Sequence, residues 1–389
     1  MLTASVLLAA APSLPAAAPL LGANLEPALS APDAQDAELA RLADSGVRTV
    51  RFTLDWNRVE PQPNRFTWRA YDALVNAARA RGLEVVLILG PCAEWAVDPA
   101  WQVPPDQRSR SLPKSIELWE RYVRQSVSHF RGRVRFWQVR DQPNSRNFRG
   151  ARSEYLRLLA AAARRARAAD PAARIIVPEP GTLGLATFDQ LLQSATAEHF
   201  DILGAYLPPA DSNLSGVALH WAALTHEVLG SPDLSRRPPV WILGADPGIP
   251  QDKLIAHYLL ACAFGVDRCY LPPKAISSDW LRPLAELTYR GFLRLGPDIW
   301  ALHFEGPQGP AVLAWSPREI EIPASDIAPV ADREALERAA PLGAPPGSGL
   351  ARRRKAARSD RPIALRLGPR PTLIPGLAPQ RRARPGSPT

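Results

Sequence analysis

Hydrophobic positions along this chain recur at two alternating periods. Residues 47–56, Val-Arg-Thr-Val-Arg-Phe-Thr-Leu-Asp-Trp, alternate side chains at period two, the pattern of a strand. Residues 71–81 place Leu74, Val75 and Ala78 on one helical face and stop at Gly82. Residues 83–89, Leu-Glu-Val-Val-Leu-Ile-Leu, are nearly all apolar, as a strand covered on both faces requires. The same beat runs on either side. Leu20 to Asn24 reads as a first strand, and Pro32-Asp33 opens a helix that stops at Gly46. Further helices are predicted over 115–130, 153–169, 188–195, 217–229 and 252–264, and strands over 134–139, 174–177, 200–206, 239–243 and 266–270. Strands and helices that alternate at roughly 30-residue spacing build parallel sheets with covering helices. Eight strands select a (β/α)8 barrel over an open doubly wound sheet, and no glycine-rich phosphate fingerprint follows any of them.

Residues 284–295 read as a last helix. From residue 298 the pattern becomes strand-like, with alternation over 299–304, 311–315 and 319–322, and edge strands expected at 363–367 and 371–374. The chain therefore divides into a barrel at 20–297, a small antiparallel, sandwich-like β unit at 298–376 with a mobile Pro/Arg-rich insertion at 340–361, and a disordered basic tail at 377–389. Residues 1–19 form an apolar leader with a cleavage-like Ala16-Ala-Ala18. No Lys or Arg precedes Arg41, so the leader lacks a positive n-region, and Pro12 and Pro15 interrupt it too often for a membrane span. It reads as a signal peptide, which implies a secreted or periplasmic protein.

Charge changes this picture only at one end. The net charge is +9, but residues 350–389 carry eleven Arg/Lys against Asp360, which makes +10 and leaves about −1 for the rest. A neutral body excludes a nucleic-acid-binding domain, and the tail reads as a solvated run able to contact an anionic surface or polymer. Only four lysines occur, and the Ala/Arg/Pro-heavy usage fits a GC-rich bacterial genome. Cys92, Cys262 and Cys269 have neither metal spacing nor a disulfide framework; buried thiols are expected, with Cys262 and Cys269 able to pair only if the fold joins them. The six histidines show no ligand spacing either, so no metal and no cofactor is expected, and the chain reads as a monomer.

In a β/α barrel the chemistry sits just past the strands. The residues there are Asn24 and Glu26, Asp55 and Trp56, Cys92, Glu94 and Trp95, Asp141, Gln142 and Asn144, Glu179, Tyr206, Gly244 and Asp246, and Tyr270 with Lys274. Aromatic rings and amides around a concave mouth suit sugars, which stack on one face and hydrogen-bond at their edges.

Four segments carry a family resemblance. Residues 47–61 with 66–72, residues 83–96, residues 131–144 (including Arg135-Phe-Trp-Gln-Val-Arg-Asp-Gln-Pro-Asn144) and residues 239–242 are similar, in order, to segments of clan A glycoside hydrolases, above all family 39. That resemblance implies a (β/α)8 barrel, an appended β sandwich and two catalytic glutamates. The acid/base position falls on Gln142 and the nucleophile position on Gly244. A retaining glycosidase needs two carboxyl groups about 5–5.5 Å apart. An amide has no acidic proton for the leaving oxygen and glycine has no nucleophile, so both roles are vacated.

The remaining residues receive roles on this scaffold. Arg51, Asp55, Trp56, Trp95, Gln142, Asn144 and Tyr206 are the expected sugar contacts. Arg51 is also an inward arginine that orients polar groups beneath the site. Asp246, Glu94 and Asp141 are the substitute carboxylates. Asp141 is expected to point away from Gln142 and to act as a structural hydrogen-bonder, Glu94 to pair with an arginine, and Glu60 to anchor a loop. Three readings follow. The first is an inactive glycoside-hydrolase-like barrel that binds oligo- or polysaccharide, or serves as a scaffold in envelope or extracellular polysaccharide metabolism. The second is an O-glycosyl hydrolase with relocated carboxylates. The third is a protein-interaction module with a closed groove.

Overall fold

The computed structural model describes residues 20–26, 32–141, 148–178, 194–207, 238–245, 248–277, 284, 287–296, 299–307, 309–316, 318–323, 340–341, 364–367 and 371–375. The leader, residues 342–361 of the Pro/Arg-rich insertion, the basic tail, the expected helix at 217–229 and most of the one expected at 188–195 lie outside the described residues.

Eight parallel strands close into a barrel in sequence order: β1 (Leu20–Asn24), β2 (Thr49–Leu54), β3 (Glu84–Leu89), β4 (Phe136–Val139), β5 (Arg174–Pro178), β6 (Ile202–Tyr206), β7 (Val240–Gly244) and β8 (Arg268–Leu271). β8 pairs back onto β1, with Gly22 opposite Tyr270. The helices α1 (Pro32–Asp44), α2 (Arg69–Ala80), α3 (Ile116–His129), α4 (Arg152–Ala169) and α5 (Gln251–Ala263) complete the barrel layer among the described residues. Each of the first two ends where the sequence marks it, since Gly46 and Gly82 adopt φ of +93° and +71°, which other residues rarely reach.

Period two divides the barrel's apolar residues between two cores. Val50, Phe52 and Leu54 of β2 and Val85, Leu87 and Leu89 of β3 face the helices. Val86, Phe136, Ile176, Ile202, Trp241, Leu243 and Tyr270 fill the lumen. At its floor the Arg268 guanidinium lies over the rings of Trp241 and Phe136, 4.1 and 4.6 Å from their centroids, and pairs with Glu84. Gly22 makes room for the Tyr270 ring, because a Cβ at 22 would lie 2.4 Å from Tyr270 Cδ1. The lumen is thus plugged from below by this apolar layer and its ion pair, and a second polar cluster lies at its C-terminal end.

The chain after the barrel departs from the sequence reading in two elements. The expected helix at 284–295 is instead β9 (Thr288–Gly296), antiparallel to β10 (Ile299–Gly306). Leu284, Leu287 and Gly291 fit helical spacing, but Tyr289, Phe292 and the pairing with β10 favour extended backbone. The β unit therefore begins before residue 298. Its main sheet runs β13 (Ala340–Pro341), β15 (Thr372–Pro375), β11 (Gly309–Trp315), β10, β9, and β12 (Ile320–Pro323) pairs with β14 (Ala364–Leu367) in a second sheet. β15 lies between β11 and β13 and is not the edge strand its position predicts. The fold class is the expected one, a (β/α)8 barrel with a small antiparallel β unit.

α5 carries an unusual group. His257 is fully buried, and neither ring nitrogen has a hydrogen-bond partner among the described residues. Burial, followed by the charge of Lys253, lowers its pKa to about 4. The unfolded chain binds this proton near pH 6.5. Stability is therefore complete above pH 6.5 and falls as pH drops towards 4, by about 3 kcal/mol. His257→Leu should flatten that slope between pH 7 and 4.5 in thermal unfolding; an unchanged slope would place the acid sensitivity elsewhere.

Candidate functional site at the barrel mouth

The mouth is built around Arg51, which the alternation of β2 turns inward. It is 5% exposed. Its Nε donates to Gln138 Oε1 at 2.7 Å, Nη1 to Asn24 Oδ1 at 2.8 Å and Nη2 to Asp141 Oδ1 at 2.5 Å. The same Asp141 oxygen accepts from Tyr206 OH at 2.7 Å and from Gln138 Nε2 at 3.2 Å. Asn24 Nδ2 donates to the Leu243 carbonyl at 2.9 Å, which ties β1 to β7. Five side chains from β1, β2, β4, β6 and the turn after β4 thus form one hydrogen-bonded network.

Burial raises the pKa of Asp141, but the Arg51 guanidinium and the hydrogen bonds from Tyr206, Arg51 and Gln138 outweigh it, and the carboxyl stays below the usual range. Burial acts against the Arg51 charge, and Asp141 more than restores it. The pair is ionised at neutral pH. Asp141 remains 46% exposed in its side chain, so it faces the mouth.

Asp141 is the structural hydrogen-bonder expected of it, and it faces the mouth; its direction relative to Gln142 lies outside the described residues. β4 ends at Val139, and Arg140 adopts φ +65°. That left-handed residue breaks period two and turns Asp141 back over the barrel axis. Arg51 and Tyr206 take the expected places. Gly244 ends β7 with its missing side chain aimed at the network: a Cβ there would lie 3.3 Å from the Tyr206 ring and 3.4 Å from Asn24 Nδ2. Gln142, Asn144, Glu179 and Asp246 lie outside the described residues.

Trp56 is the clearest correction. It is fully buried, stacked on Tyr122 at 4.7 Å, and donates from Nε1 to Glu60. It follows Asp55 by one position and so faces the helices, where no sugar reaches it. Asp55 caps the short helix Trp56–Val59 by accepting from Asn57 N at 2.9 Å. Burial raises its pKa, with the Glu94 charge a smaller contributor. Its carboxylate serves the turn first. Trp95 is half-buried, donates to the Glu60 carbonyl at 2.7 Å, and with Asn57, Pro61, Glu94, Pro99 and Arg108 lines an open groove of about 520 Å³. Glu94 is exposed, and no arginine pairs with it among the described residues. Glu60 does anchor the loop, as its place before Pro61 predicts: it is fully buried and accepts from Trp56, Asn64 N and Arg121.

Sequence reasoning missed Gln138 and Arg140. The inward parity of Phe136 was the available signal for Gln138. For Arg140 there was none, because its position depends on its backbone turn. Cys92 is a buried thiol whose pKa burial pushes up to about 12, so it is inert. Among the described residues no cluster of three His, Cys, Asp or Glu gathers to hold a metal.

No family model matches the chain. A stretch of 147 residues is 26% identical to an endo-1,4-beta-xylanase from Agaricus bisporus, and covers 36% of this chain and 42% of that enzyme. The chain thus matches less than half the length of that relative. Three solved structures share the fold. A family 39 glycoside hydrolase from the gut symbiont Bacteroides cellulosilyticus WH2 has a TM-score of 0.66 at 16% identity, over 91% of this chain and 80% of that one. A monomeric beta-xylosidase from Caulobacter crescentus CB15 has a TM-score of 0.57 at 15% identity, over 92% and 97%. The GH39 enzyme from Xanthomonas axonopodis pv. citri has 0.55 at 17%, over 77% and 73%. At these identities the likeness is one of fold, and the fold is that of family 39 glycoside hydrolases.

Proposed function

We propose that the barrel mouth binds oligo- or polysaccharide without hydrolysing it. The observation that carries this reading is Gly244. On a scaffold shared with xylan- and xyloside-cleaving proteins, the strand-7 position that should supply a nucleophile has no side chain, and the surrounding donors of Arg51 and Tyr206 close on Asp141 instead. The acid/base position, Gln142, holds an amide that can hydrogen-bond a glycosidic oxygen but cannot protonate it. Retained polar groups with vacated chemistry describe a sugar-binding site. An apolar leader of the signal-peptide kind would carry such a protein out of the cytoplasm, where a role in envelope or extracellular polysaccharide metabolism suits it. Among the described residues no helix is long and apolar enough to cross a membrane.

Restoring the two carboxylates tests this reading. Gln142→Glu with Gly244→Glu should create hydrolysis of an aryl β-xyloside that the native chain lacks. Asp141→Asn should raise it further, because two carboxylates competing for Arg51 repel each other. Native turnover equal to that of the restored variant would refute the reading.

A second reading has one observation in its favour. Among the described residues, Asp141 is the substitute carboxylate seated on Arg51 and Tyr206, ionised and facing the mouth. A hydrolase built on it would lose all turnover in Asp141→Asn. The open pocket beside Asp141 weighs against a closed groove and a purely protein-binding role.

A further inference from the structure

Beside Asp141 lies a pocket of about 250 Å³ lined by Thr53, Ile88, Gly90, Pro91, Ser109, Arg110, Arg140 and Asp141. Ligand pockets that hold a whole molecule run from about 300 Å³ upward. This one suits a single ring or a substituent. Its charge is one-sided. Among the described residues that line it, Arg140 and Arg110 are cations and Asp141 is the carboxylate, and the Oδ1 of Asp141 already accepts from Arg51, Tyr206 and Gln138.

Arg140 is held there by construction. It is 4% exposed. Its backbone takes φ +65°, a conformation that costs a non-glycine residue energy and persists only where the surroundings enforce it. Gly90 leaves the space its side chain occupies: a Cβ at 90 would lie 3.0 Å from Arg140 Cδ. The guanidinium sits 5.5 Å from the Phe148 ring centroid, and Nη1 and Nη2 both donate to the Ser109 carbonyl at 3.4 Å. Arg110 is exposed, and its guanidinium meets no carboxylate among the described residues.

We propose that this pocket takes the anionic substituent, a carboxylate or a sulfate, of an acidic glycan. The inference rests on the carbohydrate reading above and adds the class of glycan. Planar guanidiniums recognise such groups by paired N–H···O bonds, and a desolvated one attracts an anion far more strongly than a hydrated one does. Neutral hydroxyls gain nothing comparable from a second cation. The +10 of residues 350–389 provides a separate attraction for the same polyanion.

Calorimetric titration of the full chain with xylohexaose, with a xylo-oligosaccharide of equal length bearing glucuronic acid, and with O-sulfated xylohexaose tests this. One or both acidic ligands should bind at least tenfold tighter than the neutral one, and the pair tells carboxylate from sulfate. Arg110→Gln, an exposed change that leaves the thermal midpoint unmoved, should remove most of that gain and leave neutral binding as it was. Arg140→Gln should remove the rest. Equal affinity for neutral and acidic ligands, or a gain indifferent to Arg110→Gln, overturns the inference and leaves the carbohydrate reading standing. Binding of none of the three overturns both.

Discussion

Replacing Arg51 with leucine should lower stability by about 3 kcal/mol, which in a domain of this size moves the thermal midpoint by roughly 6–12 °C. The figure sits at the low end for a broken buried pair, because Asp141 is 46% exposed and water can replace its partner. Gln138 has no such relief. It is fully buried, and its Oε1 would lose the Arg51 Nε at 2.7 Å. Asn24 Oδ1 would lose its donor as well. Arg51→Lys should fall between, since one ammonium keeps the charge opposite Asp141 but cannot reach three acceptors from a fork. Differential scanning calorimetry of the two variants beside the native chain reads the order. If Arg51→Leu were as stable as the native protein, the network would be incidental to the mouth.

Glu60→Ala should cost about 3–5 kcal/mol, the range for removing one partner of a buried ion pair. Glu60 is fully buried, and its two oxygens accept from Trp56 Nε1 at 2.7 Å, Asn64 N at 2.7 Å and Arg121 Nη2 at 2.6 Å. Every one of those partners is a donor. Glu60→Gln should therefore rescue little, because whichever way the amide turns, its NH₂ faces an N–H. The loop after β2 and the half-buried Trp95 hang on this carboxylate through the Glu60 carbonyl. Chemical denaturation of Glu60→Gln and Glu60→Ala should give similar losses; full stability in the glutamine variant would show that Glu60 acts only through its shape.

The barrel is legible in the sequence because its strands obey a simple rule. Within β2 and β3 every second side chain enters the lumen, so alternation alone is enough to turn Arg51 inward. Past the end of a strand, the turn that follows decides what a side chain meets. Trp56 looks like a sugar platform from its place after Asp55, but the capped turn that begins there commits its ring to the buried stack with Tyr122. Asp141 departs from strand alternation, because the left-handed Arg140 changes the side that alternation assigns. Residues 284–295 read as a helix because Leu284, Leu287 and Gly291 fit helical spacing, while the pairing of β9 with β10 imposes extended backbone from Thr288. Local pattern determines elements; the groups that close a mouth are set by turns and by partners distant in sequence.

The proposed function has two halves: the mouth holds sugar, and it does not cut it. One experiment joins both halves: calorimetric binding of xylo-oligosaccharides, neutral and acidic, to the native chain, followed by product analysis of the same samples after prolonged incubation. Saturable binding that depends on Arg51 and Tyr206 is expected, with every oligosaccharide recovered at its original length. Shortened products that vanish with Asp141→Asn would contradict it, and would assign the chain a catalytic carboxylate at the end of β4.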